Sequence, residues 1–221
     1  MSARESIIAR IQAARCKTAN ADSAGHESVH AYVAARTPGP RPQIAGDPLA
    51  LFRARALALA STIAGVPRRR DVPYAVCKYL TGSGLPLAAV CWPELAELEW
   101  AAAGVSVETR AAREKDLVGI TGAFCAIAET GTLMFTSGPR MPATVSLLPE
   151  THIAVVPAGR IVNDMESAWG LLRSELPAMP RAINFISGPS RTADIEQTVT
   201  LGAHGPYRVH IIVIEVSETD A

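Results

Sequence analysis

Short apolar runs alternate with helix-like segments along the second half of the chain, and this alternation constrains the fold more than any other feature. The strand-like runs are GTLMFTS (131–137), HIAVVP (152–157), AINFIS (182–187) and YRVHIIVIEV (207–216). The helix-like segments between them are NDMESAWGLLRSEL (163–176) and RTADIEQTVTLG (191–202). Strands separated by helices of roughly 10–15 residues require crossover connections. We therefore predict a three-layer α/β domain whose mostly parallel sheet has helices on both faces.

The first half of this domain continues the pattern. The segment DPLALFRARALALASTIAG predicts a helix that begins after the N-cap Asp47 and ends before Gly65. The segments 72–80 and 93–104 are predicted as helices, and 85–92, 105–109 and 117–120 as strands. The domain is expected to cover residues 47–221.

Residues 1–46 differ in composition from the domain that follows. Residues 3–15 place three isoleucines on one side of a helix, so a short amphipathic helix is predicted there. The segment 16–46 is rich in small residues and carries three prolines near its end. We predict that it is an extended arm, which wraps the domain or reaches a partner. Such an arm could join copies of the chain in a homo-oligomer.

Charge and cysteine usage argue against several classes of function. The chain has 21 Lys and Arg against 21 Asp and Glu, so no basic face for nucleic acid is expected. The four cysteines form no CxxC or His-spaced cluster, which argues against an iron–sulfur cluster, a structural zinc or a disulfide framework in this chain. The sequence has neither a signal-like N-terminus nor about 18 uncharged apolar residues in a row. We expect a cytoplasmic protein without a membrane span or a cofactor of its own.

The turn ISGPSRTADIE (186–196) is the first candidate site. Its candidate ligand-binding residues are Ser187, Gly188, Ser190, Arg191, Thr192 and Asp194. A helix that starts at Arg191 would direct free N–H groups and the positive end of its dipole at a carboxylate or phosphate. Arg191 would grip that anion, and Asp194 would hold the arginine in place. The alternative is that Ser190 is an ordinary N-cap and Arg191 a solvated charge.

The segment AETGT (128–132) is the second candidate. Glu129 lies between apolar residues, and burial there would raise its pKa and suit a general base or a nucleophile. Thr130, Gly131 and Thr132 are predicted to line the same site. The alternative is a structural acid that accepts hydrogen bonds from a turn.

The loop GAHGP (202–206) supplies His204 and Gly205 as the last candidates. His204 could act as an acid, a base or a metal ligand at the rim, although a lone loop histidine is more often a turn residue. Ligands of parallel sheets bind beyond the carboxyl ends of the strands. We therefore predict that residues 187–194 and 204–205 line one anion site at that rim, above Glu129. No metal ligand is predicted.

Five segments taken in order resemble the LUD-domain family, and within it the lactate-utilisation proteins of the C type. They are GITGAFCAIAETGTLMF, LLPETHIAVVP, IVNDMESAWGLL, ISGPSRTADIE and GAHGPYRVHIIVIE. The resemblance implies a fold similar to the sugar-phosphate isomerase and CoA-transferase superfamily. It also implies a role in oxidising L-lactate to pyruvate, together with two partner proteins that hold iron–sulfur clusters.

The resemblance leaves open what this chain does in such a system, including whether it is catalytic. One hypothesis is a subunit without a cluster that handles the substrate. A second is a stand-alone enzyme, similar to a CoA-transferase or a sugar-phosphate isomerase, that works through Glu129; this rests on analogy of fold alone. A third is a structural or regulatory module.

Overall fold

A computed structural model describes residues 2–14, 19–37, 39–40, 44, 46–192 and 200–215. The chain divides into two compact units, Met1–Pro42 and Gln43–Ala221.

The first unit contains helices α1 (Ala3–Ala14) and α2 (Ala19–Ala35). Helix α1 agrees with the predicted helix, but α2 lies where the sequence predicted an extended arm. That prediction was wrong for this segment, because it gave too much weight to its small residues. Many of them are alanines, which favour helix, and the first proline of the segment is Pro38.

The second unit contains four helices and twelve strands among the described residues. The helices are α3 (Pro48–Ala58), α4 (Val72–Gly82), α5 (Thr144–Leu147) and α6 (Met165–Glu175). The first six strands are β1 (Thr62–Val66), β2 (Ala88–Cys91), β3 (Ser106–Glu108), β4 (Val118–Gly122), β5 (Cys125–Ile127) and β6 (Thr132–Thr136). The others are β7 (Thr151–Pro157), β8 (Ile161–Val162), β9 (Ile183–Ile186), β10 (Arg191–Thr192), β11 (Thr200–Leu201) and β12 (Arg208–Ile214).

Six of these strands form the central sheet, in the order β1-β12-β7-β4-β2-β3. Every neighbouring pair in it is parallel. On one face, Ile212 and Ile214 of β12 pack in a cluster with Val72 and Val76 of α4. On the other face, the alternate residues of β12 pack with Phe52 of α3. The predicted α/β fold with a parallel sheet is confirmed.

A second sheet of four strands has the order β8-β5-β6-β9. Strands β5 and β6 are antiparallel, as are β6 and β9. Helix α6 covers this sheet through Ala168 and Leu172, which pack on Cys125, Ile127 and Met134. The runs 131–137 and 182–187 therefore belong to a separate sheet and not to the parallel one. The turn between β5 and β6 is too short for a crossover, so this pair can only be antiparallel.

Three predicted helices differ from the structure. Asp47 caps α3 as expected, its side chain accepting hydrogen bonds from the N–H groups of Leu49 and Ala50. The helix ends at Ala58, however, and the residues up to Gly65 turn through Ala60 (φ 66°) into β1. This strand was missed because its β-branched residues follow a long alanine-rich run.

The segment 93–104 forms a short 3₁₀ turn, Pro93–Leu95, followed by further turns. The indole N–H of buried Trp100 donates to the Leu95 carbonyl over 2.7 Å. This carbonyl is therefore satisfied by a side chain and not by a main-chain N–H of an α-helix.

The helix predicted over residues 191–202 also differs from the structure, because the two described parts of this segment are strands. Arg191–Thr192 pairs antiparallel with Thr200–Leu201, which makes both ends short strands. Residues 193–199, including Asp194, lie outside the described residues.

Candidate functional site

A cavity of about 350 Å³ lies at the carboxyl ends of four neighbouring strands of the parallel sheet. We call it the carboxyl-edge cavity. Its wall includes Ile214 from β12, Pro157 from β7, Gly122 from β4 and Trp92, which directly follows β2. This is where the geometry of a parallel α/β sheet places ligands, because the chain leaves each strand there to form loops.

Glu94 is the acidic side chain of this cavity. It lies in the 3₁₀ turn after β2, and its carboxylate is held over the last residue of β4, where the Gly122 N–H hydrogen-bonds it. A Cβ atom placed on Gly122 would lie only 1.8 Å from Glu94 Oε1. Glycine at position 122 thus leaves the space that the carboxylate occupies.

Burial of the carboxyl group raises the pKa of Glu94 above its ordinary value. The positive charges of Arg69 and Arg140 and the hydrogen bond from Gly122 act in the opposite direction and are smaller effects. The Glu94 residue as a whole is exposed, yet its carboxyl end is turned towards the protein beside Gly122. This carboxyl is therefore easier to protonate than one in water.

Two arginines also line the cavity. The Arg69 guanidinium donates to the Glu94 main-chain carbonyl and lies 3.5 Å from the Glu97 carboxylate. Arg160 donates through Nε to the Phe124 carbonyl (2.9 Å), and its Nη1 and Nη2 atoms are 2.5 and 2.8 Å from the two oxygens of Glu175. Both guanidinium groups are thus held in fixed positions. Guanidinium groups in fixed positions beside an open cavity can hold an anionic ligand, while Glu175 already balances the charge of Arg160.

Trp92 and the loop after β6 close another side of the cavity. The indole N–H of Trp92 donates to the Pro142 carbonyl over 3.1 Å. Its ring meets Phe135 edge to face, with centroids 6.2 Å apart. Met141 of the same loop lies 3.9 Å, sulfur to oxygen, from Thr136 Oγ1. The site thus combines an apolar wall with one acidic and two basic groups, as small-molecule sites commonly do.

The structure places most of the sequence-predicted residues elsewhere. The turn 128–132 joins β5 to β6, the turn 187–192 follows β9, and the loop 202–206 packs on the second of these turns. We call these three segments the turn cluster. The loop 202–206 precedes β12 and therefore lies at the amino end of the parallel sheet, while β9 belongs to the other sheet. The prediction of one site at the carboxyl rim was thus wrong in its position.

Hydroxyl groups connect two parts of the turn cluster. Thr130 Oγ1 donates to Thr132 Oγ1 over 2.7 Å, and Thr132 Oγ1 lies 2.7 Å from Ser187 Oγ. The structure therefore brings AETGT and SGPS together, as the sequence suggested. Glu129 is half-buried at the end of the same turn, and its N–H donates to the Asn163 carbonyl over 2.9 Å.

Two glycines of the turn cluster are packed against the C-terminal half of α3. A Cβ on Gly131 would lie 2.6 Å from the Ala56 nitrogen, and one on Gly188 would lie 2.3 Å from the Leu59 carbonyl oxygen. Both residues have positive φ, 65° and 82°. These turns leave no space for a ligand between themselves and the helix.

The contacts of Arg191 and Ser190 differ from those predicted for an anion site. The Arg191 guanidinium donates to the Leu59 carbonyl over 3.3 Å, and the Ser190 N–H donates to the Pro206 carbonyl over 2.9 Å. The expected free N–H groups of a helix start are thus missing at this position. His204 is exposed, whereas Gly205 packs against Ser190. Thr192 is half-buried in β10.

Sequence reasoning missed the residues of the carboxyl-edge cavity. Trp92 is the last residue of the predicted strand 85–92 and Glu94 follows it, while Gly122 ends β4, which overlaps the predicted strand 117–120. A polar residue directly after each strand of a parallel sheet was the available signal. It was overlooked because Glu94 was assigned to a helix.

Within the described residues, no group of three or more His, Cys, Asp or Glu could hold a metal ion. No helix in the described part of the chain is long and apolar enough to cross a bilayer. Cys77, Cys91 and Cys125 are free thiols.

Comparison with known proteins gives a family and a fold. The family model of the LUD domain matches residues 90–214. The lactate utilization protein C of Bacillus licheniformis is 37% identical over 130 residues, which cover 56% of this chain and 53% of that protein. The protein of the same name from Bacillus subtilis is 39% identical over 104 residues, covering 46% and 43% of the two chains. This chain thus spans about half the length of the curated relatives it matches.

A solved structure is similar in fold. The crystal structure of a DUF162 family protein from Deinococcus radiodurans superposes with a TM-score of 0.59 at 24% identity. The match covers 78% of this chain and 99% of that one.

Proposed function

Because this chain belongs to the LUD domain family, we propose that it serves in lactate utilisation and holds lactate or pyruvate in the carboxyl-edge cavity. Its relatives from two Bacillus species carry the name lactate utilization protein C. Oxidation of lactate to pyruvate releases two electrons and two protons. In this proposal, partner proteins with iron–sulfur clusters accept the electrons, and this chain binds and orients the small carboxylate in the cytoplasm.

The position of the cavity is the observation that carries this proposal. It lies at the carboxyl ends of four parallel strands, and its volume of about 350 Å³ is in the range of small-molecule sites. Arg69 and Arg160 supply positive charge, and Trp92 supplies an apolar surface for the methyl group of lactate. The turn cluster, in contrast, is filled by its own packing against α3.

Glu94 gives the proposal a specific chemistry. A ligand carboxylate beside Glu94 brings a second negative charge close to a carboxyl whose pKa is already raised. Like charges favour protonation, so ligand binding takes up a proton at this residue. Protonated Glu94 can then donate a hydrogen bond to a ligand oxygen. Calorimetry in two buffers of different ionisation enthalpy measures this proton uptake.

Ligand binding by the predicted turn residues stays a prediction. The same holds for a catalytic role of Glu129, which is not among the residues that line the carboxyl-edge cavity. The contacts of the turn cluster support a structural role for it. Among the residues that the structure describes, no contact favours the alternative of a stand-alone transferase or isomerase.

Ligand-observed NMR with L-lactate tests the proposal, and lactamide serves as the uncharged control ligand. The variant Gly122→Ala forces Glu94 from its position, since the added Cβ would lie 1.8 Å from its Oε1 atom. The matched control is Gly170→Ala, where a Cβ meets nothing within 4 Å. We expect lactate affinity to fall about tenfold or more in Gly122→Ala, a change of about 1.4 kcal/mol, and to be unchanged in Gly170→Ala. Equal binding by both variants, or no preference for lactate over lactamide, would overturn the proposal.

A further inference from the structure

A second cavity of about 360 Å³ lies between α4 and the edge strand β1 of the parallel sheet. Its wall includes Ala64 of β1, Lys78 and Tyr79 of α4, and His210 of β12. None of these residues lines the carboxyl-edge cavity. His210 also faces away from that side of β12 on which Val209 and Ile211 pack with α3. The two cavities are therefore separate.

His210 is a buried polar side chain with an unused ring nitrogen. Only 5% of the residue is exposed. Its Nδ1 atom lies 2.8 Å from Thr62 Oγ1, and the Tyr79 ring stacks on it at 3.8 Å with an interplanar angle of 8°. Its Nε2 atom has no hydrogen-bond partner among the described residues. A buried polar atom without a partner lowers stability, so such an atom beside a cavity indicates a missing ligand or water.

We propose that this second cavity binds a small organic carboxylate, whose oxygen atoms contact Lys78 and the Nε2 atom of His210. The Lys78 ammonium supplies the charge that a carboxylate requires. When Nδ1 accepts a hydrogen bond from the Thr62 hydroxyl, Nε2 carries the ring hydrogen and donates a hydrogen bond to the ligand. Ala64 and Ala75 offer a surface for the apolar part of the molecule.

The state of the imidazole agrees with this assignment. Burial lowers the pKa of His210 to about 4, so the ring is neutral at pH 7. The positive charge of the site therefore comes from Lys78 alone among the residues that line this cavity. An uncharged analogue of the ligand loses that attraction and binds more weakly.

NMR of protein labelled with ¹⁵N in its histidine rings tests the proposal, with butyrate as the probe and butyramide as the uncharged comparison. We expect butyrate, but not butyramide, to shift the Nε2 resonance of His210 in a saturable way. Lys78→Gln should weaken butyrate binding about tenfold, and Lys115→Gln, at a lysine outside this cavity, should not change it.

His210→Asn supplies an independent test. Its amide group can keep a contact with Thr62 in place of Nδ1, while the Nε2 atom is removed. We expect this variant to lose butyrate binding; if it fails to fold, the Lys78 and Lys115 pair still decides. Absence of any shift with butyrate would show that water alone satisfies Nε2 and would overturn the proposal. Equal shifts with butyramide would overturn the carboxylate assignment. Neither result bears on lactate binding in the carboxyl-edge cavity, so the two proposals fail separately.

Discussion

The turn cluster and the carboxyl-edge cavity use glycine in opposite ways. In the turn cluster, Gly131 and Gly188 let the backbone of a turn lie directly against α3, and the site is filled. At the cavity, Gly122 lets the carboxylate of another residue, Glu94, occupy the space where a Cβ would be. The first use fixes the position of a sheet on a helix. The second holds an ionisable group beside an open volume of about 350 Å³.

This difference shows that the most recognisable strings of a sequence need not form its binding site. AETGT and SGPSRT have little freedom to change because their turns take positive φ and pack closely on α3. The cavity residues come one at a time from the ends of separate strands. Each of them looks ordinary in its own segment, and only the parallel sheet brings them together.

The largest effect is expected from Gly131→Ala. The variant combines left-handed strain (φ 65°) with a Cβ only 2.6 Å from the Ala56 nitrogen. Gly84→Ala is the matched control, because Gly84 has φ 66° and open space around it. We expect Gly84→Ala to lower the free energy of unfolding by about 1 kcal/mol and Gly131→Ala by about 3 kcal/mol or more. Urea unfolding measures both; equal losses would show that the contact with α3 is not tight.

A smaller effect is expected where the hydroxyl chain is broken. Thr132→Val removes the oxygen that lies 2.7 Å from both Thr130 Oγ1 and Ser187 Oγ. We expect a loss of about 1 kcal/mol in the free energy of unfolding. Thr136→Val is the control in the same strand, since the hydrogen bond that Thr136 Oγ1 donates to the Met141 sulfur is long, at 3.9 Å. If the control loses as much as Thr132→Val, the hydroxyl chain does not stabilise the turn cluster.

Arg191→Ala tests whether lactate binds at the turn cluster or in the carboxyl-edge cavity. Arg191 is exposed and donates one long hydrogen bond of 3.3 Å to the Leu59 carbonyl. We expect its removal to change the free energy of unfolding by about 0–1 kcal/mol. Lactate binding should be unaffected, because Arg191 does not line the carboxyl-edge cavity. If lactate binding is lost while the melting temperature is unchanged, the anion binds at the turn cluster and not in the carboxyl-edge cavity.

The sequence predicted the central sheet well because strands β7 and β12 are buried on both faces and read as continuous apolar runs. It could not separate these runs from β6, which is equally apolar but belongs to the second sheet. The pattern of apolar residues shows that a strand is buried, but it does not show to which of the two sheets the strand belongs. Strand β1 was missed because the boundary between it and α3 depends on a left-handed turn at Ala60, a residue that rarely adopts one.

The candidate site was less predictable for a different reason. The contact between Thr132 and Ser187 could be anticipated, since both segments were recognised together. The approach of Glu94 to Gly122 depends on β2 and β4 being neighbours in the sheet, which the order of the strands along the chain does not reveal. The predicted anion site at Arg191 depended on a helix that starts at this residue. In the structure, Arg191 and Thr192 form a short strand instead.

The smallest effect on stability is expected at Glu94, and its sign is opposite to those in the turn cluster. Burial raises the pKa of Glu94 in the folded chain, so its ionised form is disfavoured there relative to the unfolded chain. Above the pKa of the folded chain, Glu94 is ionised in both states, and the cost of burying its charge lowers the stability of the folded state in full. Below the pKa of the unfolded chain, Glu94 is protonated in both states, and this cost is absent. Glu94→Gln removes the ionisation, so we expect a slightly higher melting temperature at pH 7.

That gain should shrink as the pH falls through the raised pKa towards the ordinary range of a glutamate. The matched control is Glu97→Gln, because Glu97 has a side chain that is 76% exposed and lies 3.5 Å from the same Arg69. It should show little change in melting temperature at any pH, since an exposed ion pair contributes about 0–1 kcal/mol. In Glu94→Gln the amide is neutral and can donate a hydrogen bond as protonated Glu94 would, so lactate binding should be kept and its proton uptake lost. A lower melting temperature in Glu94→Gln at pH 7 would mean that Glu94 serves the packing of its turn, and the contrast between the two regions would then disappear.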